Sequence, residues 1–275
     1  MNGFFDKKRL NMSRGDILNH SKVINTDYYV ISDDFRQMTA EELWKSFCQK
    51  ENIDISTAYE AWAFGGAPDY LAALVMQEIK TATASGYDLY FLAGKEEPIP
   101  QIGDYNVILD SKEQAVCVIQ TIKTEVIPFN LVGEDQAYKE GEGNRSLEYW
   151  RKVHDEFFTE DFVNSGIEFD YNCKILCEEF RLLYSVFEVV PFEEEDAKEI
   201  CKWKYEGEYY KVLKDGHYLG YFRIKDEGEQ IELGIEIRPE MCGNQNGDMF
   251  VNLALAKISE HYPGQKIVLT VRPFI

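Results

Sequence analysis

The chain is short of positive charge. Its 29 lysines and arginines face 49 aspartates and glutamates, a formal charge of −20. So acidic a surface repels phosphate backbones and excludes indiscriminate nucleic-acid binding, bulk DNA included. A local pocket for one nucleotide or one splayed-out base is compatible with it. Long apolar runs are missing too. None approaches bilayer-spanning length, and the first residues lack a basic-then-apolar leader pattern. No membrane partner is expected, and the expected compartment is the cytoplasm. The six cysteines (Cys48, Cys117, Cys173, Cys177, Cys201, Cys242) show no paired framework. Cys173 and Cys177, four apart on an expected helix with no histidine cluster beside them, read as core thiols, so no metal is expected.

Apolar material is ample. With 17 Phe and 17 Tyr in 275 residues, the chain can build the cores of two ordinary domains. Residues 1–37 have weak periodicity and read as an extension, with one possible strand at 26–32. Thr39 then caps a helix carrying Leu43, Trp44 and Phe47. Pro68 suits the first turn of a second helix, whose stripe Leu71, Leu74, Val75 and Ile79 predicts an end near Ile79. Lys80 follows, with Thr81, Thr83 and Ser85 alternating on one side of an extended segment. A lysine beside hydroxyls can bind an anion or activate a hydroxyl; it can equally be a surface cation at a helix C-terminus.

From 86 to 122 short strands (YDLYFLA, YNVILD, AVCVIQTI) predict a small closed β-structure with helices at its ends. A polar loop, EGEGN at 140–144, leads to a helix capped by Ser146, with Leu147, Trp150, Val153, Phe157 and Phe158 on its packed face and His154 at the edge. Glu142 between two glycines, with Trp150 and His154 nearby, makes either a pocket wall or an acidic loop beside a core helix. Residues 159–187 continue with helical character.

These residues carry a resemblance. Trp62, Phe64 and Gly65, then LAALV, Lys80-Thr81-x-Thr83, Gly103-Asp104, the strand after it and EGEG-x-x-SLxxWRxxHxxFF are similar to an ASCH domain, a PUA-like β-barrel, over about residues 38–186. Small members of that family hydrolyse N4-acylated cytidines, and RNA binding has been proposed for others. The resemblance implies Thr83 as nucleophile with Lys80 taking its proton. It places Gln120 where a carboxylate is expected, so either Glu142 substitutes or the protein binds without turnover, because glutamine cannot shuttle a proton. Trp62, Thr81, Trp150 and His154 complete the expected ligand contacts, with Trp62 or Trp150 stacking on a base.

At 188 a new unit begins. A helix at 193–204, three strands in a meander, a glycine-bearing loop, a helix and a last strand follow. The order is similar to a GNAT acetyltransferase, whose loop grips acetyl-CoA. Here Gly243, Asn244 and Gly247 are the loop positions of interest, but Gln245 puts a side chain where phosphate approaches, and the resemblance stops at 275, before that fold's last elements. The reading is therefore α+β: an extension (1–37), a PUA-like ASCH barrel with flanking helices (38–187) and an incomplete GNAT-like α/β domain (188–275). The expected function is binding, with hydrolysis as a possibility, of a nucleoside, nucleotide or modified RNA base. The alternatives are acetyl-CoA-dependent N-acetyl transfer and a non-catalytic RNA-related scaffold. No cofactor is expected with certainty. The 266–272 strand, left as an edge, invites a homodimer.

Overall fold

Thr39 starts the first helix. Its hydroxyl accepts from the Glu42 amide, and the Glu42 carboxylate accepts from the Thr39 amide at 2.9 Å, a reciprocal cap on α1 (Ala40–Glu51). The computed structural model describes residues 37–92, 97–193, 206–238 and 246–269. The strand expected at 26–32, nearly all of the helix expected at 193–204, and Gly243 and Asn244 lie outside the described residues. Helix α1 buries Leu43, Trp44, Phe47 and Cys48 against the first sheet.

That sheet contains β1 (Glu60–Ala63), β2 (Ala82–Gly86), β3 (Tyr105–Leu109), β4 (Ala115–Pro128) and β5 (Lys174–Ser185), in the order β1-β3-β4-β5-β2. Strand β1 runs parallel to β3, and the other pairs are antiparallel. Register breaks at Val118/Ile119 and Thr121/Lys123 bend the long β4. The result is a curled half-barrel in a mixed α/β chain, where a closed barrel was expected. Pro68 occupies the first turn of α2 (Pro68–Met76), which ends three residues earlier than its apolar stripe suggests.

Two other expectations fail. YDLYFLA is a 3-10 turn at Tyr87–Phe91, not a strand. The expected helix over 159–187 is instead the end of α4 (Leu147–Asn164) followed by β5. Strand β5 is apolar on both faces: Phe180 enters the main core, while Ile175 and Cys177 enter a second cluster under α4. A strand buried on both sides loses its alternation and mimics a helix. Cys177 thus lies on a strand, and Cys173 just before it. A short helix, α3 (Glu134–Glu140), stands where only a polar approach to the EGEGN loop was expected.

At Val186 the chain passes from one sheet to the other. Its amide donates to Val116 O (2.9 Å), and its carbonyl accepts from Asp215 N (2.8 Å). The second sheet, β6 (Phe187–Pro191), β7 (Glu208–Lys214), β8 (His217–Asp226), β9 (Ile231–Ile237) and β10 (Ile267–Leu269), is ordered β10-β9-β8-β7-β6. Its first four strands form an antiparallel meander, and β10 lies parallel to β9 at one end. Helix α5 (Asn246–His261) connects β9 to β10 and buries Met249, Phe250, Leu253, Ala254, Ala256 and Ile258. Of the expected Val251, Ala254, Leu255, Ile258 stripe, Ala254 and Ile258 are in this buried face and Val251 and Leu255 are half-buried. Gln77 of α2 donates to Leu253 O at 2.9 Å, and one apolar core runs through both sheets. No helix among the described residues is long and apolar enough to cross a membrane.

Candidate functional site

Lys80 is buried, with its side chain 1% exposed. Its ammonium lies 3.0 Å from Glu142 Oε1 and 3.2 Å from Glu140 Oε2, and points at the Glu140 carbonyl. The Phe64 ring lies 5.4 Å away, so the W-x-F-G motif supplies an aromatic wall to the lysine. Trp62 packs edge-on against Phe64 and donates to Asn106 Oδ1 at 2.8 Å.

The EGEG turn brings two carboxylates onto one nitrogen. Gly141 has φ +75°, and a Cβ there would lie 2.6 Å from the Ile79 carbonyl. Only glycine allows both the left-handed reversal and the close approach. The reversal ends α3 and folds Glu142 back so that it and Glu140 face Lys80.

Glu140 is the most heavily bonded of the set. Its Oε1 accepts from Trp150 Nε1 (2.7 Å) and Gln136 Nε2 (3.0 Å), and its Oε2 faces His154 Nε2 at 3.3 Å. Burial alone would raise its pKa. The charges of Lys80 and His154, with hydrogen bonds from His154 and Trp150, overcome burial and hold it at about 2. Burial likewise works to neutralise Lys80, but Glu142 and Glu140 raise its pKa above the ordinary value. The two carboxylates thus favour the charged form of Lys80, which makes it a poor base for the Thr83 hydroxyl. Its charge is already satisfied by carboxylates, which leaves no anion site on it either.

The expected site residues separate into groups. Lys80, Glu142 and His154 converge around Glu140. Trp150 is buried, stacked on His154 (4.1 Å, 15°) and on Phe129 (5.4 Å), and offers no open face to a base. The face of α4 is rotated from the expected one: His154 and Phe162 are inside, and Phe157 is 40% exposed. Gln120 is elsewhere, accepting from Arg181 Nη2 (2.7 Å) and donating to Gly103 O (3.0 Å). Thr81 is held by its backbone to Lys139 O and Phe180 N. Thr83 lies in cross-strand register with Glu178 of β5, so the carboxylate beside it is Glu178. Glu178 is buried and accepts from Thr121 Oγ1 at 2.6 Å. Burial raises its pKa, the Thr121 hydrogen bond opposes this, and Asp104 and Glu60 add to it. Gly247 lies in the first turn of α5, where a Cβ would meet nothing within 4 Å.

Sequence reasoning missed Glu140 and Gln136, both on the unanticipated α3. The available signal was the pair of acidic residues around Gly141. Among the described residues no group of three or more His, Cys, Asp or Glu is placed to hold a metal ion.

The curled half-barrel sheet in a mixed α/β chain fits a PUA-like domain. Residues 60–184 match the family model of the ASCH domain, and through them the chain belongs to that family. It is similar to two solved structures. Protein EF3133 from Enterococcus faecalis is 33% identical, the match covering 52% of this chain and 91% of that one (TM-score 0.47). The ASCH domain from Lactobacillus crispatus is 26% identical, covering 55% and 98% (TM-score 0.46). No curated protein matches. The matched segment ends at residue 184 and assigns no family to the second sheet.

Proposed function

We propose that the ASCH domain of this chain binds a nucleoside or a single unpaired base at the Lys80–Glu142 edge, without rapid turnover. The observation that carries this is Glu142. One of its oxygens is fixed on the buried Lys80, its side chain is 20% exposed, and its other oxygen has no hydrogen bond among the described residues. A carboxylate so oriented is ready to accept an N–H, such as the exocyclic amine of a base. The charge of −20 favours a small ligand over a nucleic-acid strand.

Hydrolysis of an N4-acylcytidine by Thr83 is the weaker reading. A protonated Lys80 cannot serve as its base, and no hydrogen bond joins Thr83 to Lys80 among the described residues. Gly243 and Asn244 of the second sheet's acetyl-CoA-like loop fall outside the described residues, and no function is drawn from that loop.

The test is calorimetric titration with cytidine, uridine and N4-acetylcytidine, with chromatography for released cytidine. Binding is expected, weakened at least about tenfold by Glu142→Gln, the loss of one charge-assisted hydrogen bond. Cytidine release that vanishes in Thr83→Ala would replace this reading with the hydrolase. Binding only to a single-stranded oligonucleotide, with steep salt dependence, would replace it with a backbone binder.

A further inference from the structure

A cavity that Lys80 does not line lies where the two sheets meet. Its buried side is made by Phe187, Lys214 and Asn246, and its outer side by the half-buried Asp110 and Gln114 and the exposed Gln37. That exposed rim is its entrance, and the enclosed space of about 20 Å³ has room for one oxygen-sized group. Lys214 ends β7 and is 4% exposed; its Nζ donates to Asn246 Oδ1 at 3.2 Å and lies 5.5 Å over the Phe187 ring. An ammonium only donates, so it fixes the Asn246 amide with the oxygen toward itself and Nδ2 turned away. That Nδ2 is buried and has no hydrogen-bond partner among the described residues, in a side chain whose residue is 5% exposed. An N–H so placed is costly without an acceptor. Asn246 also opens α5, a helix of 16 residues, whose first-turn amides have no partner within the helix and whose dipole favours negative charge. At the rim, Asp110 Oδ1 is occupied by the amides of Lys112 and Gln114, each at 2.8 Å. Lys112 Nζ in turn reaches Asp248 of α5 at 2.7 Å, tying the β3–β4 turn to the start of that helix. Burial lowers the pKa of Lys214, with Asp215 and Asp110 opposing it; an anion in the cavity acts on the lysine in the same direction as those carboxylates.

We propose that this cavity is an oxyanion site, separate from the Lys80–Glu142 edge, which takes one oxygen of a small carboxylate or of phosphate. Lys214 Nζ and Asn246 Nδ2 donate to the bound anion, and the start of α5 faces its charge. The rest of the anion lies toward the rim at Gln37 and Gln114. Both sheets build the site: Lys214 and Asn246 come from the second, and Asp110 and Gln114 from the β3–β4 turn of the first. An anion bound there therefore stabilises the junction between them and raises the melting temperature of the chain.

The test follows the side-chain amide resonance of Asn246 in the isotope-labelled full chain as acetate, phosphate or acetamide is added at constant ionic strength, with melting curves alongside. Acetate or phosphate is expected to shift that resonance saturably and to raise the melting temperature, and the tighter of the two identifies the source of the oxygen. Affinity should fall at least about tenfold in Lys214→Met, the loss of one charge-assisted hydrogen bond. Lys214→Gln, which keeps a donor without the charge, serves if the methionine variant does not fold. Asn246→Asp, which keeps the shape and removes the donor, should lose the rise in melting temperature. Glu142→Gln should leave the anion response unchanged. No saturable shift in the parent chain leaves the cavity to water and overturns the proposal. Acetamide binding as well as acetate overturns the anionic assignment. A response that persists in the Lys214 and Asn246 variants, or one lost in Glu142→Gln, places the anion elsewhere and overturns the site.

Discussion

Two buried glutamates, Glu140 and Glu178, have pKa values shifted in opposite directions. Glu140, on α3, has Lys80, His154, Trp150 and Gln136 around its oxygens, and its pKa falls to about 2. Glu178, on β5 beside Thr83, has one hydroxyl donor and the acidic Asp104 and Glu60 nearby, and its pKa rises. Burial costs both carboxylates solvation; the difference is what replaced the water. The first environment is built to hold a charge, and the second to shed one.

The comparison breaks most sharply if the charged cluster is cut. Glu140→Ala leaves Lys80 buried with only Glu142 beside it and is expected to cost about 3–5 kcal/mol, read from urea unfolding. Lys80→Ala strands two carboxylates and falls in the same range. Loss of ligand binding in a Lys80 variant therefore says nothing about the ligand unless folding is shown, which makes Glu142→Gln the better probe.

Acid titration sharpens the contrast next. Glu140 contributes about 3 kcal/mol, at 1.36 kcal/mol per pH unit between 4.5 and about 2. This share is complete above pH 4.5, the unfolded value, and is lost as pH falls toward 2. Glu178 has the opposite sign: it favours the folded state below pH 4.5 and costs stability as pH rises through its raised value. Unfolding curves from pH 2 to 7 should show a flatter acid limb in Glu140→Gln than in the parent chain. In Glu178→Gln the limb should remain and stability near neutral pH should rise. A limb unchanged in Glu140→Gln would show that Glu140 is not the group holding it.

A smaller effect comes from the entry to the α4 buttress. Ser146 caps α4 by accepting from the Tyr149 amide at 3.1 Å, so Ser146→Ala should cost about 1 kcal/mol by thermal unfolding. It should leave the acid limb unchanged, because the cap touches neither glutamate.

Local signals were legible where they depend on neighbours along the chain. The Thr39 and Ser146 caps, Pro68 in the first turn of α2 and the meander turns all sit where their own chemistry puts them. The W-x-F-G, Lys80 and EGEG pattern pointed to the ASCH family, which the match over 60–184 shows. Hidden from the sequence was which face each element buries. Val153 was expected inside α4 and His154 at its edge, yet His154 is buried because the Glu140 carboxylate on another helix gives it a partner. Strand β5 read as a helix because two cores cover it.

The sequence by itself determined the caps, the turns, the acidic surface and the left-handed glycine between two glutamates, because each is settled within a few bonds of its own residue. Only the tertiary structure decided that Lys80 is buried among carboxylates, that Glu140 and not Gln120 is its deep partner, and that Gln77 of α2 bonds to Leu253 of α5. Those outcomes depend on groups 60 and 176 residues apart losing water together, and their free energy belongs to the assembled pair, not to either residue alone.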